Sequence, residues 1–211
     1  MSMDPVMRTD DHFQIKHKTF LALPDKEEIQ LVFVGDSLVR RWEDNIELWD
    51  DFFSAYHPVN FGVGMDCLEN IKWRMLNGEL DGMRPRVLLL LAGTNNLDKD
   101  TAETIVGGIR EIVDIIRDCL PDTRVVVLGL LPRDPDETGT DFSGKIGRIN
   151  RRLKSLYSGS DVHFRDIGSH LTEEHGAVRR DIMPDGLHLN ADGYRHVGPI
   201  LQRIIEDAWH S

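Results

Sequence analysis

Apolar residues in this chain fall into two alternating patterns. Short unbroken runs rich in β-branched and aromatic types read as strands buried on both faces. They are Leu31 to Val34, Val87 to Ala92 and Val125 to Leu131, while Pro58 to Val63 and Val162 to Ile167 read as further strands interrupted by polar residues. Between them the apolar positions recur at helical spacing. Leu38, Trp42, Ile46, Trp49 and Phe53 predict a helix directly after the first strand. Leu68, Ile71, Met75 and Leu76 predict a second, started by Asp66 with Glu69 as a capping box. Ile105, Ile109, Ile112, Ile116 and Leu120 mark a long helix, which Asp100 and Glu103 are placed to cap. Gly107 and Gly108 inside it predict close approach to the sheet. Phe142, Ile146, Ile149, Leu153 and Leu156 mark the next helix, and Val197, Leu201, Ile204, Ile205 and Ala208 the last.

Strands alternating with helices through short loops predict a parallel sheet covered on both faces. The fold expected is α/β, a three-layer α/β/α sandwich with a five-stranded parallel sheet, flavodoxin-like. Residues 1–12 read as a loose tail, with an amphipathic segment from about Phe13 to Leu23 opening a single domain over 13–211.

Composition narrows the function. A length of 211 residues, 40% of them hydrophobic, suits one soluble domain, and no apolar stretch is long enough for a membrane span. The polar, acidic start lacks the apolar core of a signal peptide. Cys67 and Cys119 are too few for a disulfide scaffold, which fits a reducing, cytoplasmic location. A net charge of −11 argues against nucleic acid or an anionic membrane as partner. The basic cluster Arg148, Arg151, Arg152 and Lys154 is spaced to face solvent from a helix.

In parallel sheets of this kind ligands sit beyond the carboxyl ends of the strands. The residues found there are Ser37, Gly64-Met65-Asp66, Thr94-Asn95-Asn96, Arg133 and the segment around Asp185. Ser37 follows a strand and opens a helix, so its hydroxyl is exposed and its N–H is one of the free donors of a helix start. Gly-Asp-Ser is also ordinary turn chemistry, so the stretch alone does not decide. The turn at Gly64 or Met65 offers a second N–H and Asn95 a side-chain amide. Donors converging on one developing oxyanion are usually the largest catalytic contribution. Asp185 stands three residues before His188, the base-plus-orienter half of a triad. A metal reading of the same pair lacks a third ligand nearby. Asp36 is read as organising the turn, and Cys67 as a small packing residue.

Gly35-Asp36-Ser37-Leu38, Gly64, Gly93-Thr94-Asn95-Asn96 and Asp185-x-x-His188 resemble, in order, the four sequence blocks of the SGNH (GDSL-type) hydrolases. Asn60-Phe61-Gly62, Trp73-Arg74, Asn77 to Leu80 and Val125 to Arg133 are most similar to the catalytic subunits of the intracellular platelet-activating-factor acetylhydrolase. The resemblance implies a Ser37 nucleophile, His188 base and Asp185 orienter, with an oxyanion hole from Ser37, Gly64 or Met65, and Asn95. It implies a cofactor-free serine esterase, acting through an acyl-enzyme on a small-molecule or lipid ester. Leu38 and Leu187 flank the catalytic residues and point to a short apolar acyl pocket. A carbohydrate O-acetylesterase, and a catalytically silent binding protein on the same fold, are the alternatives. A homodimer is compatible with the resemblance. Met65 departs from the pattern, since the family has Gly there. The expectation is that Gly62 and Gly64 supply the turn's flexibility and that Met65 presents its N–H without a positive φ.

Overall fold

The computed structural model describes residues 3–211. Strands run over Leu31–Gly35 (β1), Pro58–Gly62 (β2), Val87–Leu91 (β3), Arg124–Leu128 (β4) and His163–Arg165 (β5). All pairings are parallel, in the order β2-β1-β3-β4-β5, which is the flavodoxin-like arrangement. Helices cover Asp11–Leu21 (α1), Ser37–Arg40 (α2), Ile46–Phe53 (α3), Leu68–Leu76 (α4), Ala102–Cys119 (α5), Ser143–Leu156 (α6) and Ala191–Trp209 (α7).

The strand side chains show why the apolar runs are unbroken. Val32 and Val34 pack into one core with α1, α4, α5 and α6. Leu31 and Phe33, on the opposite face, pack into a second core with α2, α3 and α7. Both faces are covered, so no position in β1 is left for a polar residue.

Register then places the chemistry. Gly35 pairs with Gly62 on one side and Leu91 on the other, so three strands end level with one another. Ser37, the turn after β2 and the short 3-10 turn Thr94–Asn96 therefore share one edge of the sheet. Gly62 is needed for close approach, since a Cβ there would lie 2.2 Å from the Arg40 backbone nitrogen.

Several local expectations are corrected. The helix after β1 is broken into α2, a 3-10 segment Arg41–Asn45, and α3; Trp42, Trp49 and Phe53 are buried but Ile46 is exposed. The cap of α4 is Cys67, which forms a capping box with Asn70; the Asp66 side chain is drawn to two arginines instead. The cap of α5 is Thr101, not Asp100. Gly108 faces Leu68 and Met3 rather than the sheet, and Gly107 faces open space. Leu76 and Leu156 end their helices exposed. The predicted solvent-facing arginines and Lys154 on α6 are exposed.

The described part of the N-terminal segment is not loose. Val6 N–H donates to Glu69 O, Asn70 Nδ2 to Val6 O and Lys72 Nζ to Met3 O, so the segment is strapped along α4. Residues 1 and 2 lie outside the described residues.

Gly62→Ala should destabilise the protein by about 1–3 kcal/mol, because the methyl group meets backbone that cannot rotate away. Urea denaturation measures it, and an unchanged midpoint would contradict the packing described.

Candidate active site

Ser37 is the first residue of α2, and Asp36 caps that helix by accepting the Leu38 N–H at 2.9 Å. The Ser37 Oγ lies 2.9 Å from His188 Nε2. His188 Nδ1 lies 2.7 Å from Asp185 Oδ2, and Asp185 Oδ1 accepts the backbone N–H groups of Leu187 and His188 at 2.9 and 2.7 Å. Asp185 is thus oriented by its own loop before it meets the imidazole. Partial burial opposes its ionisation, but the His188 and Leu187 amides and the His188 ring hold its carboxyl down at about 2. A hydroxyl, an imidazole and a carboxylate joined in this way can pass the hydroxyl proton to the ring as the oxygen attacks a carbonyl.

The turn after β2 lies beside them. Asp66 N–H donates to Val63 O at 3.2 Å, closing a β-turn over Gly64 and Met65. Met65 has φ +67°, whereas Gly62 and Gly64 are not left-handed. A positive φ at the third position alone is the type II signature, which favours Gly there. The expectation for Met65 is therefore wrong: it takes the strained conformation itself, at a cost of about 1 kcal/mol. Its side chain is 76% exposed, so no packing offsets that strain. Asn95 sits on the Thr94–Asn96 turn and donates one Nδ2 hydrogen to Asp66 O at 2.9 Å, leaving the second without a partner among the described residues. Asn96, by contrast, is wholly buried and serves the scaffold, bonding Leu68 N, Glu69 and Asp100.

Comparison with known proteins places the chain in a family. Residues 33–196 match the GDSL-like lipase/acylhydrolase family. The chain belongs to that family. It is 36% identical to the rat platelet-activating factor acetylhydrolase IB subunit alpha2, over 93% of this chain and 84% of the relative. The bovine alpha1 subunit is also 36% identical, over 93% and 83%. Among solved structures, a GDSL-like lipase from Bacteroides thetaiotaomicron superposes with a TM-score of 0.76 at 20% identity, covering 93% of this chain and 96% of its own. The protein is thus an ester-hydrolysing serine hydrolase of the GDSL type.

In this GDSL hydrolase a buried charge network, invisible to sequence reasoning, lies beneath the turn. Arg74 is fully buried and donates from Nε to Asp66 at 2.8 Å and from Nη1 to Glu79 at 2.6 Å. Glu79 also meets His17 Nδ1 at 2.7 Å, and Arg8 reaches Asp66 from the strap. Burial pushes the Asp66 carboxyl up to about 6, with Arg74 and then Arg8 pulling against it. Burial likewise pushes Asp36 up to about 7, opposed by the Leu38 N–H and reinforced by the charge of Asp66.

A cleft of about 320 Å³ adjoins the turn, lined by Met65, Thr94, Asn95, Asp98, Arg133 and Asp136 among others. The Arg133 guanidinium stacks over the Phe142 ring there, 5.0 Å from its centroid. A larger cavity of about 1000 Å³ lies between the strap and α5, lined by residues such as Met3, Glu69 and Glu111, and does not include Ser37. The smaller one is not lined by Ser37 or His188 either, but it shares Met65 and Asn95 with the turn beside them. Leu38, expected at the acyl pocket, is packed in the second core, while Leu187 is half-buried. Cys67 is half-buried beside Lys99 and the Asn95 carbonyl, and burial raises its thiol, which suits a packing role.

Two stability measurements test this description. Met65→Gly relieves the left-handed strain but loosens the unfolded chain by about 0.4–1 kcal/mol, so stability should hold or rise slightly. A loss greater than about 1 kcal/mol would contradict the strained turn. For Asp36, a folded pKa of about 7 exceeds the carboxyl's ordinary 3.8, so the folded state binds the proton more tightly. Stability should therefore fall as pH rises from about 4 to 7 and then level off. Asp36→Asn should flatten that slope, leaving the smaller part due to Asp66; an unchanged slope by denaturation across this range would refute the assignment.

Proposed function

We propose that Ser37 is the nucleophile, His188 the general base and Asp185 its orienter. The observation that carries this is the unbroken hydrogen-bond chain from Ser37 Oγ through His188 to Asp185. His188 Nε2 takes the Ser37 proton as Oγ bonds to the ester carbonyl carbon. The resulting oxyanion is met by the Ser37 N–H, the Met65 N–H and the free Asn95 amide hydrogen. The carbonyl re-forms, the alkoxide leaves with the proton from His188, and water repeats the sequence on the acyl-enzyme. Gly64 serves through its carbonyl side of the turn, leaving Met65 as the donor. An intact constellation disfavours a silent binding protein.

The substrate is a small ester with a short acyl group, in line with the acetylhydrolase subunits that are its relatives. A cleft of about 320 Å³ supports a small occupant. A carbohydrate O-acetylesterase is the second reading, favoured by Asp98, Arg133 and Asp136 in that cleft. Both cysteines are free, which supports a reducing, cytoplasmic location. No helix among the described residues is long and apolar enough to cross a membrane.

Ser37→Ala should lower hydrolysis of 4-nitrophenyl acetate by about 1000-fold or more while leaving the unfolding transition intact. It should also abolish labelling by a fluorophosphonate probe. Near-wild-type turnover in this variant, or labelling elsewhere, would overturn the assignment. Acetate, butyrate and octanoate esters tested beside acetylated xylo-oligosaccharide separate the two substrate readings. Added chelator should leave the rate unchanged.

A further inference from the structure

The strap that precedes the family match carries a residue aimed at the oxyanion turn. Arg8 Nη1 donates to Gly64 O at 2.7 Å and to Asp66 Oδ1 at 2.8 Å, so one nitrogen bridges the two neighbours of Met65. Arg8 Nε donates to Asp10 at 2.9 Å, and the guanidinium stands 5.5 Å from the centre of the Phe13 ring. The side chain is therefore fixed on three sides before it meets the turn. The strap itself is held along α4, so Arg8 is not a dangling surface residue.

We propose that Arg8 is a positioning residue for catalysis, holding the Gly64–Met65 peptide in the orientation that turns the Met65 N–H toward the oxyanion. This rests on the esterase reading above. A peptide unit is planar and trans, so its C=O and N–H point in opposite directions. Holding Gly64 O against Arg8 therefore directs the Met65 N–H away from Arg8. A type II turn differs from type I chiefly by a flip of that central peptide. With Gly at the third position type II is favoured without help. Met65, at φ +67°, would gain by flipping to type I, where its φ becomes negative and its N–H is reversed. The Arg8 bond to Gly64 O opposes that flip because it is made to the carbonyl that would move. The departure from Gly at position 65 and the clamp at position 8 thus form one device. No reaction step passes through Arg8, which never touches the substrate.

The test is a double-mutant cycle of Arg8→Gln and Met65→Gly, read as kcat and KM on 4-nitrophenyl acetate, with Ser37→Ala as reference. Arg8→Gln should lower kcat about 10- to 100-fold, short of the full loss of one oxyanion donor, with KM within about twofold. Met65→Gly sets its own reference rate, against which Arg8→Gln is read a second time. In that background Arg8→Gln should change kcat by less than about threefold, because Gly at position 65 holds the type II turn unaided. That rescue separates positioning from a general loss of stability, which Gly at position 65 would not repair. If Arg8→Gln keeps wild-type kcat, or lowers kcat by the same factor in the Met65→Gly background, the proposal is wrong. Ser37→Ala remaining inactive in the same assay would show that the esterase reading survives that failure; an active Ser37→Ala would overturn both.

Discussion

The site depends on one guanidinium with no access to water. Arg74 binds Asp66 and Glu79 through two of its nitrogens, and the third reaches Phe61 O at 3.1 Å and Gly35 O at 3.4 Å. Gly35 ends β1 and Phe61 lies one residue from the end of β2, close before Ser37 and the turn at Met65. One planar cation thereby references both loops to the same point. An arginine cannot shed its charge when buried, so both carboxylates are required to balance it. Losing one member of such a set typically costs about 3–5 kcal/mol, because the remaining charge is left unpaired in the interior. The Glu79 contact with His17 extends the same network into α1, and Arg8 extends it to the strap.

Rigid charge beneath and strain above describe the turn at Met65. The Val63 and Asp66 ends are anchored, by Val63 N–H to Gly35 O and by Asp66 to Arg74. Only the central peptide has freedom left, and with a side chain at the third position the orientation seen is the less favourable of its two. A catalytic donor placed on that peptide is preorganised only if something outside the turn selects one orientation. Asn95 is treated differently. Its amide is fixed by Asp66 O, so donor and turn are tied to each other. The pair Asp185 and His188 needs less support, because the two are three residues apart and the loop's own amides orient the carboxylate.

Local signals accordingly account for much of the protein. The three unbroken apolar runs, the helix stripes and the alternation of strands with helices determined a doubly wound parallel sheet, since runs of that kind suit strands buried on both faces. Ser37, Asn95, Asp185 and His188 were legible because strand ends and a three-residue spacing place them by chain connectivity alone. Helix caps were less so: Asp66 and Asp100 look like caps, but Cys67 and Thr101 hold those positions, because distant arginines and amides compete for the carboxylates. What only the tertiary structure decided is the set of contacts between segments far apart in sequence. Arg74 with Gly35 and Phe61, Arg8 with Gly64, and the left-handed Met65 all depend on which chain lies above which. Periodicity reports the face a residue presents, and it carries no record of the partner that meets that face.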